Sequence, residues 1–522
     1  MAILLVAQAT RAAPVHEWTQ RYGGLGADVG AAVAFDVSGH VLVVGTSNHD
    51  MFAARYDASG SQLWIRWLGQ GYAYDVTSDP SGNVLVTGGL GIYPDVPANP
   101  QTSILIVKFD ANGTQRWERT FGTTGGTFDE GIGIATDASG DVAVTGRFLD
   151  TVDLGGGPLT SAGRDDIFVA KFSAQGNHLW SRRAGSATYR EYGSGITVDG
   201  SGNVVVVGSY NDPMDMGGGV LPYGGSLDMF LAKYASVDGA HLWSHGFGST
   251  NQDDGTAVVC DGSNNVILLG RFGGSVDFGG GALVSAGTAD VVLARYGANG
   301  MHEWSKRFGD VSYTSGNGVA TDPLGNIVVA GMLPGTVDFG GGPIVGNGAV
   351  FVAKFNPSGG HLWSESYGGG YSAIAGDVAV SSTGRVAVTG RFFDSIDFGG
   401  GDVVSADSSD AFIAKFTDDS YVPVPIRPVE TPGVTLGENH PNPFNPVTTI
   451  EYSVDRRAAV VIGIYDSRGT LVARLDDGVR EAGNHRVRWD GRNTGGQRVA
   501  SGMYFYRLEG TGVPARKMVL LK

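Results

Sequence analysis

Residues 275–309 read SVDFGGGALVSAGTADVVLARYGANGMHEWSKRFG. A triple glycine, two aspartates, a histidine and a tryptophan in one stretch suggest a binding site. The string recurs, however, as TVDLGGGPLTSAGRDDIFVAKFSAQGNHLWSRRAG from Thr151 and as TVDFGGGPIVGNGAVFVAKFNPSGGHLWSESYG from Thr336. Recurrence at a fixed period marks an architectural unit before it marks a site. Trp18, Trp64, Trp117, Trp180, Trp243, Trp304 and Trp363 are spaced by 46, 53, 63, 63, 61 and 59 residues, which gives seven units.

Each unit carries four short runs, of the types HLWSRR, GIGIATD, DVAVTGRF and DIFVAKF. They are too short for helices, rich in Val, Ile, Phe and Tyr, and bounded by Gly, Asn, Asp and Ser, so they are expected to be strands. Between the second and third runs come DVSGH, DPSGN, DASGD, DGSGN, DGSNN, DPLGN and SSTGR. Asp36, Asp79, Asp137, Asp199, Asp261 and Asp322 there suit hairpin tips, where a carboxylate accepts turn N–H groups and glycine supplies positive φ. Four-stranded units at this period point to an all-β propeller of seven blades. The array begins with a tryptophan run at Trp18 and ends, without one, at DAFIAKF (Asp410–Phe416). The first run is therefore expected to complete the last blade and leave no open edge.

These units resemble the bacterial seven-bladed β-propeller repeat family, whose members read like GIAVDSSGNVYVTG followed by DAFVAKF and a tryptophan strand. The resemblance covers about residues 15–416 and implies the fold; propellers host many roles, so it implies no single activity.

Composition narrows function. The chain has 522 residues, 85 of them glycine, and a formal net charge of -16. No GXY period is present, and the acidic balance offers no basic stripe for a nucleic-acid backbone. Cys260 is the single cysteine and occupies a small-residue slot in its repeat, so a disulfide framework is excluded and a buried thiol is expected. No apolar run is long enough for a membrane-spanning helix. AILLVAQA, within residues 1–14, fits the remnant of a secretory signal peptide.

The triple-glycine loops occur in the last five units only, with Asp153, Asp215, Asp277, Asp338 and Asp397 each two residues before the first glycine. A phosphate loop would be followed by a helix, and here a β run follows. Calcium takes about six to eight oxygens, whereas each loop brings one carboxylate and carbonyls. A glycine-rich bulge or hairpin extension that stiffens the blade or forms an interaction surface is expected, with calcium as the alternative. His16, His178, His241, His302 and His361 recur once per blade and should lie too far apart for a metal centre. No metal centre and no cofactor are expected. The tryptophans should join neighbouring blades.

Asp28, Asp129, Glu130, Glu191, Asp253 and Asp254 precede or open the second runs. They are expected to form a solvated acidic rim at one mouth of the channel; paired carboxylates there are the alternative, a polysaccharide hydrolase or lyase. Asp129, Glu130, Asp253 and Asp254 join the five loop aspartates as candidate ligand-binding residues. No catalytic set is assigned.

After Phe416, prolines 423, 425, 428 and 432 mark residues 417–433 as an extended linker. Residues 434–522 alternate as the strands of a small Ig-like sandwich do, with Ile462, Ile464, Val487, Trp489, Tyr504 and Tyr506 as core positions. NHPNPFNPVTTIEYSV, IYDSRGTLVARL, WDGRNTGGQRVASGMYFYRL and the terminal KMVLLK resemble the C-terminal sorting domain of type IX secretion cargo. The middle part is similar to the Ig-like domain of the flagellar hook-capping protein. The resemblance implies export to the outer surface or medium, with Asn442, Pro443, Phe444, Asn445, Pro446, Gly502, Tyr504, Lys517 and Lys522 as motif residues. It implies the type IX translocon as partner, with a sortase that attaches the product to surface lipopolysaccharide. The expected function is a secreted or cell-surface binding and scaffold module for an extracellular glycan or protein.

Overall fold

Each repeat forms a four-stranded antiparallel blade because its middle runs are apolar on both faces. Val204–Tyr210 and Asp228–Tyr234, for example, are buried along their whole length. A strand covered on both sides needs a sheet on each face, and a ring of blades supplies it. The computed structural model describes the chain except residues 1–12, 25, 93–100, 123–127, 369–372, 419–434, 456–457, 467–470, 509–512, 514 and 522. Most of residues 1–14, expected to be a signal-peptide remnant, nearly all of the expected linker and Lys522 thus lie outside the described residues. The chain divides into two compact units, Met1–Tyr421 and Val422–Lys522.

The first unit is a seven-bladed propeller. Blade 1 comprises Asp28–Phe35, Val41–Ser47, Asp50–Tyr56 and the start of Gln62–Ser78, a long strand that crosses over to become the innermost strand of blade 2, followed by Val84–Ile92, Gln101–Phe109 and Gln115–Phe121. Blades 3, 4, 5 and 6 open with Glu130–Thr136, Tyr192–Val198, Asp254–Cys260 and Ser315–Thr321 as innermost strands. Blade 7 runs Ile374–Val380, Val386–Phe392, Asp410–Thr417 and then Val15–Tyr22 from the N-terminal end of the ring. The register Val15↔Thr417 to Tyr22↔Ala411 closes it, as the missing last tryptophan run requires. No helix of the described residues is long and apolar enough to cross a membrane.

Neighbouring blades are joined by a repeated lock. Trp18, Trp64, Trp117, Trp243 and Trp304 donate their indole N–H to the carbonyls of Ala58, Ala111, Ala174, Ala298 and Pro357 in the next blade, at 3.1–3.2 Å. The same five carbonyls accept from Lys415, Arg55, Lys108, Lys233 and Arg295. The hairpin-tip aspartates complete the lock. One oxygen of Asp79 accepts the N–H groups of Ser81 and Asn83, and the other pairs with Lys108 at 2.7 Å. Asp137–Lys171, Asp199–Lys233, Asp261–Arg295 and Asp322–Lys354 repeat the pairing at 2.7–2.8 Å. A lysine buried in each AKF run is tolerable because it is paired and hydrogen-bonded. Cys260 is a free, partly buried thiol that burial pushes up to about 12.

The second unit is an Ig-like sandwich. One sheet orders Thr435–His440, Thr448–Val454 and Gly483–Trp489; the other orders Leu471–Arg480, Ala458–Asp466, Gly502–Leu508 and Arg516–Leu520. Ile462, Ile464, Trp489, Tyr504 and Tyr506 are buried between them, and Val487 packs against this core partly exposed.

Candidate functional site

Four features of the described residues carry chemistry. The first is the set of five loops between the second and third strands of blades 3 to 7. They are short hairpins, paired Thr151–Asp153 with Pro158–Thr160, Ser275–Asp277 with Ala282–Val284, Thr336–Asp338 with Pro343–Val345 and Ser395–Ile396 with Val403–Val404, and bridged at Asp215 and Val220 in blade 4. In each, one oxygen of Asp153, Asp215, Asp277, Asp338 or Asp397 accepts the N–H of the first glycine at 2.6–2.7 Å and of the third at 2.9–3.0 Å. These donors hold Asp215, Asp277, Asp338 and Asp397 below the usual carboxylate range. The first and third glycines take positive φ of 99–111°, which a side chain would oppose. The middle glycine lies against a histidine: a methyl there would sit 2.1–2.4 Å from Cε1 of His178, His241, His302, His361 or His16.

Histidine and glycine loop are thus one device, which residue-by-residue reading of the sequence missed. Blades 1 and 2 lack the loop, and Gln62 and Gln115 stand where the histidine would be. That joint absence was the available signal. His16, His178, His241 and His361 also hydrogen-bond Thr19, Ser181, Ser244 and Ser364 through Nε2 at 2.8–3.1 Å. On the return strand, Val284, Val345 and Val404 stand 64%, 69% and 63% exposed at equivalent places in three consecutive blades.

The second feature corrects an expectation. Asp28, Asp129, Glu130, Glu191, Asp253 and Asp254 do not form a solvated rim; all six are buried. The joint between two blades covers them, a cover that appears only when the ring closes. Glu130 pairs with Arg147 at 2.7 Å and accepts the Tyr74 hydroxyl at 3.1 Å, and Asp254 takes the Nε–H of Arg271 at 2.6 Å. Asp129 accepts the N–H of Leu149, and Asp253 those of Ser249 and Gly273. Burial pushes Glu191 up to about 7 and Asp253 up to about 6.

The third feature is the central channel, a cavity of about 530 Å³ lined by the seven innermost strands. Its wall is mostly Ala, Val, Ile and Thr. Each innermost strand carries a bulge, and the residue after the bulge is Ala32, Asp75, Gly133, Gly195, Ala257, Gly318 or Asp377. Two carboxylates thus enter an otherwise small-residue ring. Asp75 accepts the N–H groups of Val76 and of Ile134 in the next blade, at 2.7 and 2.8 Å; Asp377 accepts that of Val33 across the ring closure at 3.1 Å. Burial and the charge of Asp377 push Asp75 up to about 8, and burial pushes Asp377 up to about 6.

The fourth lies in the second unit, where the motif residues from its two ends meet. Asn442 accepts the Val519 N–H at 2.9 Å and donates to the Lys517 carbonyl, while Phe444 pairs through its backbone with Val519 and Leu521 at 2.9 Å. Phe444 is buried against Trp489, which packs on Tyr504. Asn445 and Pro446 border a small cleft with Leu520, Gly502 is exposed, and so is Lys517. Pro443 follows a cis peptide bond.

Comparison with known proteins matches residues 303–332 to a β-propeller repeat family and residues 446–512 to the FlgD Ig-like domain. The chain is 23% identical over 497 residues to an uncharacterized WD repeat-containing protein of Acanthamoeba polyphaga mimivirus, covering 75% of this chain and 35% of that one. It is 26% identical over 180 residues to the regulatory protein FlaEY of Caulobacter vibrioides, covering 33% of this chain and 18% of that one. The chain therefore spans about a third or less of the curated relatives it matches. Among solved structures, the WD40 β-propeller domain of Doa1 aligns with a TM-score of 0.43 at 12% identity, covering 78% of this chain and 97% of the other. PorZ, a surface component of the type IX secretion system of Porphyromonas gingivalis, aligns with a TM-score of 0.24 at 12% identity, covering 94% and 81%.

Proposed function

We propose that the chain is a secreted or cell-surface binding module, a propeller that engages an extracellular glycan or protein and is exported by its C-terminal sandwich. The observation that carries the binding reading is the row of five equivalent hairpins. Each is braced by its aspartate turn and a histidine, and three consecutive ones expose a valine on the same strand position. A repeated, rigid, exposed epitope suits multivalent contact, in which weak sites add to useful avidity. Asp153, Asp215, Asp277, Asp338 and Asp397 are candidate ligand contacts through their second oxygen. The carboxylates 129, 130, 253 and 254 act instead as joints between blades. The C-terminal reading rests on the motif set Asn442–Pro446, Gly502, Tyr504 and Lys517, with the type IX translocon as reader and a sortase as further partner.

A second reading, a polysaccharide hydrolase or lyase, is favoured by one observation: Asp75 and Asp377 are the two carboxylates in the channel lining, and burial raises the proton affinity of both. A glycan array with the intact chain, alongside an activity screen on polysaccharides, separates the two. Retention on the array that falls when Val284, Val345 and Val404 are changed together to Ser supports the binding module. Turnover of a polysaccharide, lost in Asp75→Asn, would replace it with the enzyme.

A further inference from the structure

Blade 1 leaves open a place that its sister blades cover. In blades 3, 4, 5 and 7 the third strand starts with Asp166, Asp228, Asp290 or Asp410, and all four are fully buried. The chain that returns from each hairpin folds over its aspartate and donates to it the N–H of Ala162, Gly224, Ala286 or Ala406, at 2.5–3.0 Å. In blades 3, 5 and 7 an arginine of the outer strand, Arg183, Arg307 or Arg21, pairs with it as well.

In blade 1 only Asn48 and His49, both at positive φ, join Val41–Ser47 to Asp50–Tyr56, a two-residue turn with no hairpin to fold back. Asp50, the counterpart of those aspartates, is therefore exposed. Trp67 stands in the arginine's place, opposite Phe52 as Arg307 is opposite Val292. It is 54% exposed, whereas the seven repeat tryptophans are buried or half-buried. Its ring lies 6.4 Å from that of Phe52 and 6.3 Å from that of Tyr22 in blade 7, so its aromatic neighbours hold it while the rest stays in water. Asp50 is opposite Gln70 on the same two strands, and the bulge at Leu68 brings Gln70 to the face that Trp67 presents. Gln70 is exposed too, and among the described residues neither its side chain nor that of Asp50 has a hydrogen-bond or ion-pair partner.

We propose that Trp67, Asp50 and Gln70 form a binding site for one ring of a neutral glycan; this rests on the binding-module reading and names one of its contacts. An indole that is fixed in place yet wet suits the C–H face of a pyranose, the apolar side of a sugar. A free carboxylate beside a free carboxamide supplies acceptors and a donor to neighbouring hydroxyls, each of which both gives and takes a hydrogen bond. Asp50 and the formal net charge of -16 repel an acidic sugar. A cationic partner would stack on the ring and pair with Asp50, but an ion pair in open water adds little, and it leaves the Gln70 donor without a use.

The test is calorimetric titration of the full chain with cellohexaose, mannohexaose and xylohexaose, and with hexagalacturonic acid and choline as charged counterparts. Trp67→Ala, Trp67→Phe and Asp50→Asn are run beside it. At least one neutral sugar should bind with a dissociation constant of about 1 mM or tighter. Trp67→Ala should weaken it about tenfold or more, Asp50→Asn about threefold or more, and Trp67→Phe, which keeps a ring, less than Trp67→Ala. A readout on the unmodified chain is independent of variant folding: N-bromosuccinimide should oxidise Trp67 before the other tryptophans, as located by peptide mass, and the bound sugar should protect it. No neutral sugar bound and no protection overturns the site. Neutral-sugar binding of unchanged affinity in Trp67→Ala overturns the site alone; if that affinity falls when Val284, Val345 and Val404 are changed together to Ser, the binding module stands without it. Binding of choline or of hexagalacturonic acid in place of the neutral sugars, lost in Trp67→Ala, would show a site for charged ligands and also overturns the proposal.

Discussion

Gly341→Ala tests the coupling between the hairpins and their histidines at the tightest of the five contacts. Gly341 has ordinary φ, so alanine is not opposed by its backbone; what it meets is the His361 ring, 2.1 Å from the new methyl at Cε1 and 2.7 Å at Nδ1. The ring must move, which loosens its edge contact with Phe355 and its 3.1 Å bond to Ser364. Overpacking of this kind costs about 1–3 kcal/mol and the lost hydrogen bond about 1 kcal/mol, while replacing glycine returns about 0.5 kcal/mol through the unfolded chain. A net loss of about 2 kcal/mol follows. At about 2.1 cal/mol/K of unfolding entropy per residue, a ring of about 400 residues should melt about 2 °C lower. His361→Gln copies the residue that the two plain blades carry and removes the obstacle. Alone it should cost about 1 kcal/mol, and in its presence Gly341→Ala should be neutral. The double-mutant cycle, measured by tryptophan fluorescence on heating and in urea, should therefore show about 2 kcal/mol of coupling. Additive effects of the two changes would refute the shared device.

The locks between blades and the channel give two further predictions. Trp304→Phe should cost about 1 kcal/mol through loss of its 3.1 Å bond to Pro357, whereas Trp363→Phe should be nearly neutral, because the Trp363 indole N–H has no partner among the described residues. Equal losses in denaturant unfolding would contradict the lock. Asp75, raised from 3.8 to about 8 in the fold, is favoured there as the neutral acid; its contribution to stability is fullest below pH 4 and is lost as pH rises toward 8. Asp75→Asn should match the parent near pH 3.5 and exceed it at pH 7.5 by about 1–3 kcal/mol, read from urea midpoints at both values. A parent equally stable at both would refute the burial of that charge.

The ring was legible because its signal is long-range arithmetic: seven tryptophans, four runs per unit and one run missing at the end. The hairpin tips were legible because an aspartate before Ser-Gly has one local use. What stayed hidden depends on contacts between units. Asp253 and Glu191 look solvent-facing at a strand start, yet the neighbouring blade buries them. Asp75 and Asp377 pass as ordinary variation in a repeat until the bulge aligns them in the channel. The histidine and glycine signals were each seen, but their shared absence from blades 1 and 2 acquires meaning only when His361 is found over Gly341. In the second unit, Asn442 and Val519 lie far apart in sequence and meet only when the last strand docks.

In the proposed function, a propeller that folds on its own is carried outward by the sandwich that follows it. Fractionation of a host with a type IX system, expressing the intact chain and a chain lacking residues 434–522, tests it most directly. The intact product is expected at the cell surface or in the medium, and the truncated product folded, with the parent propeller's melting transition, in the periplasm. Equal surface yields from the two chains would contradict it.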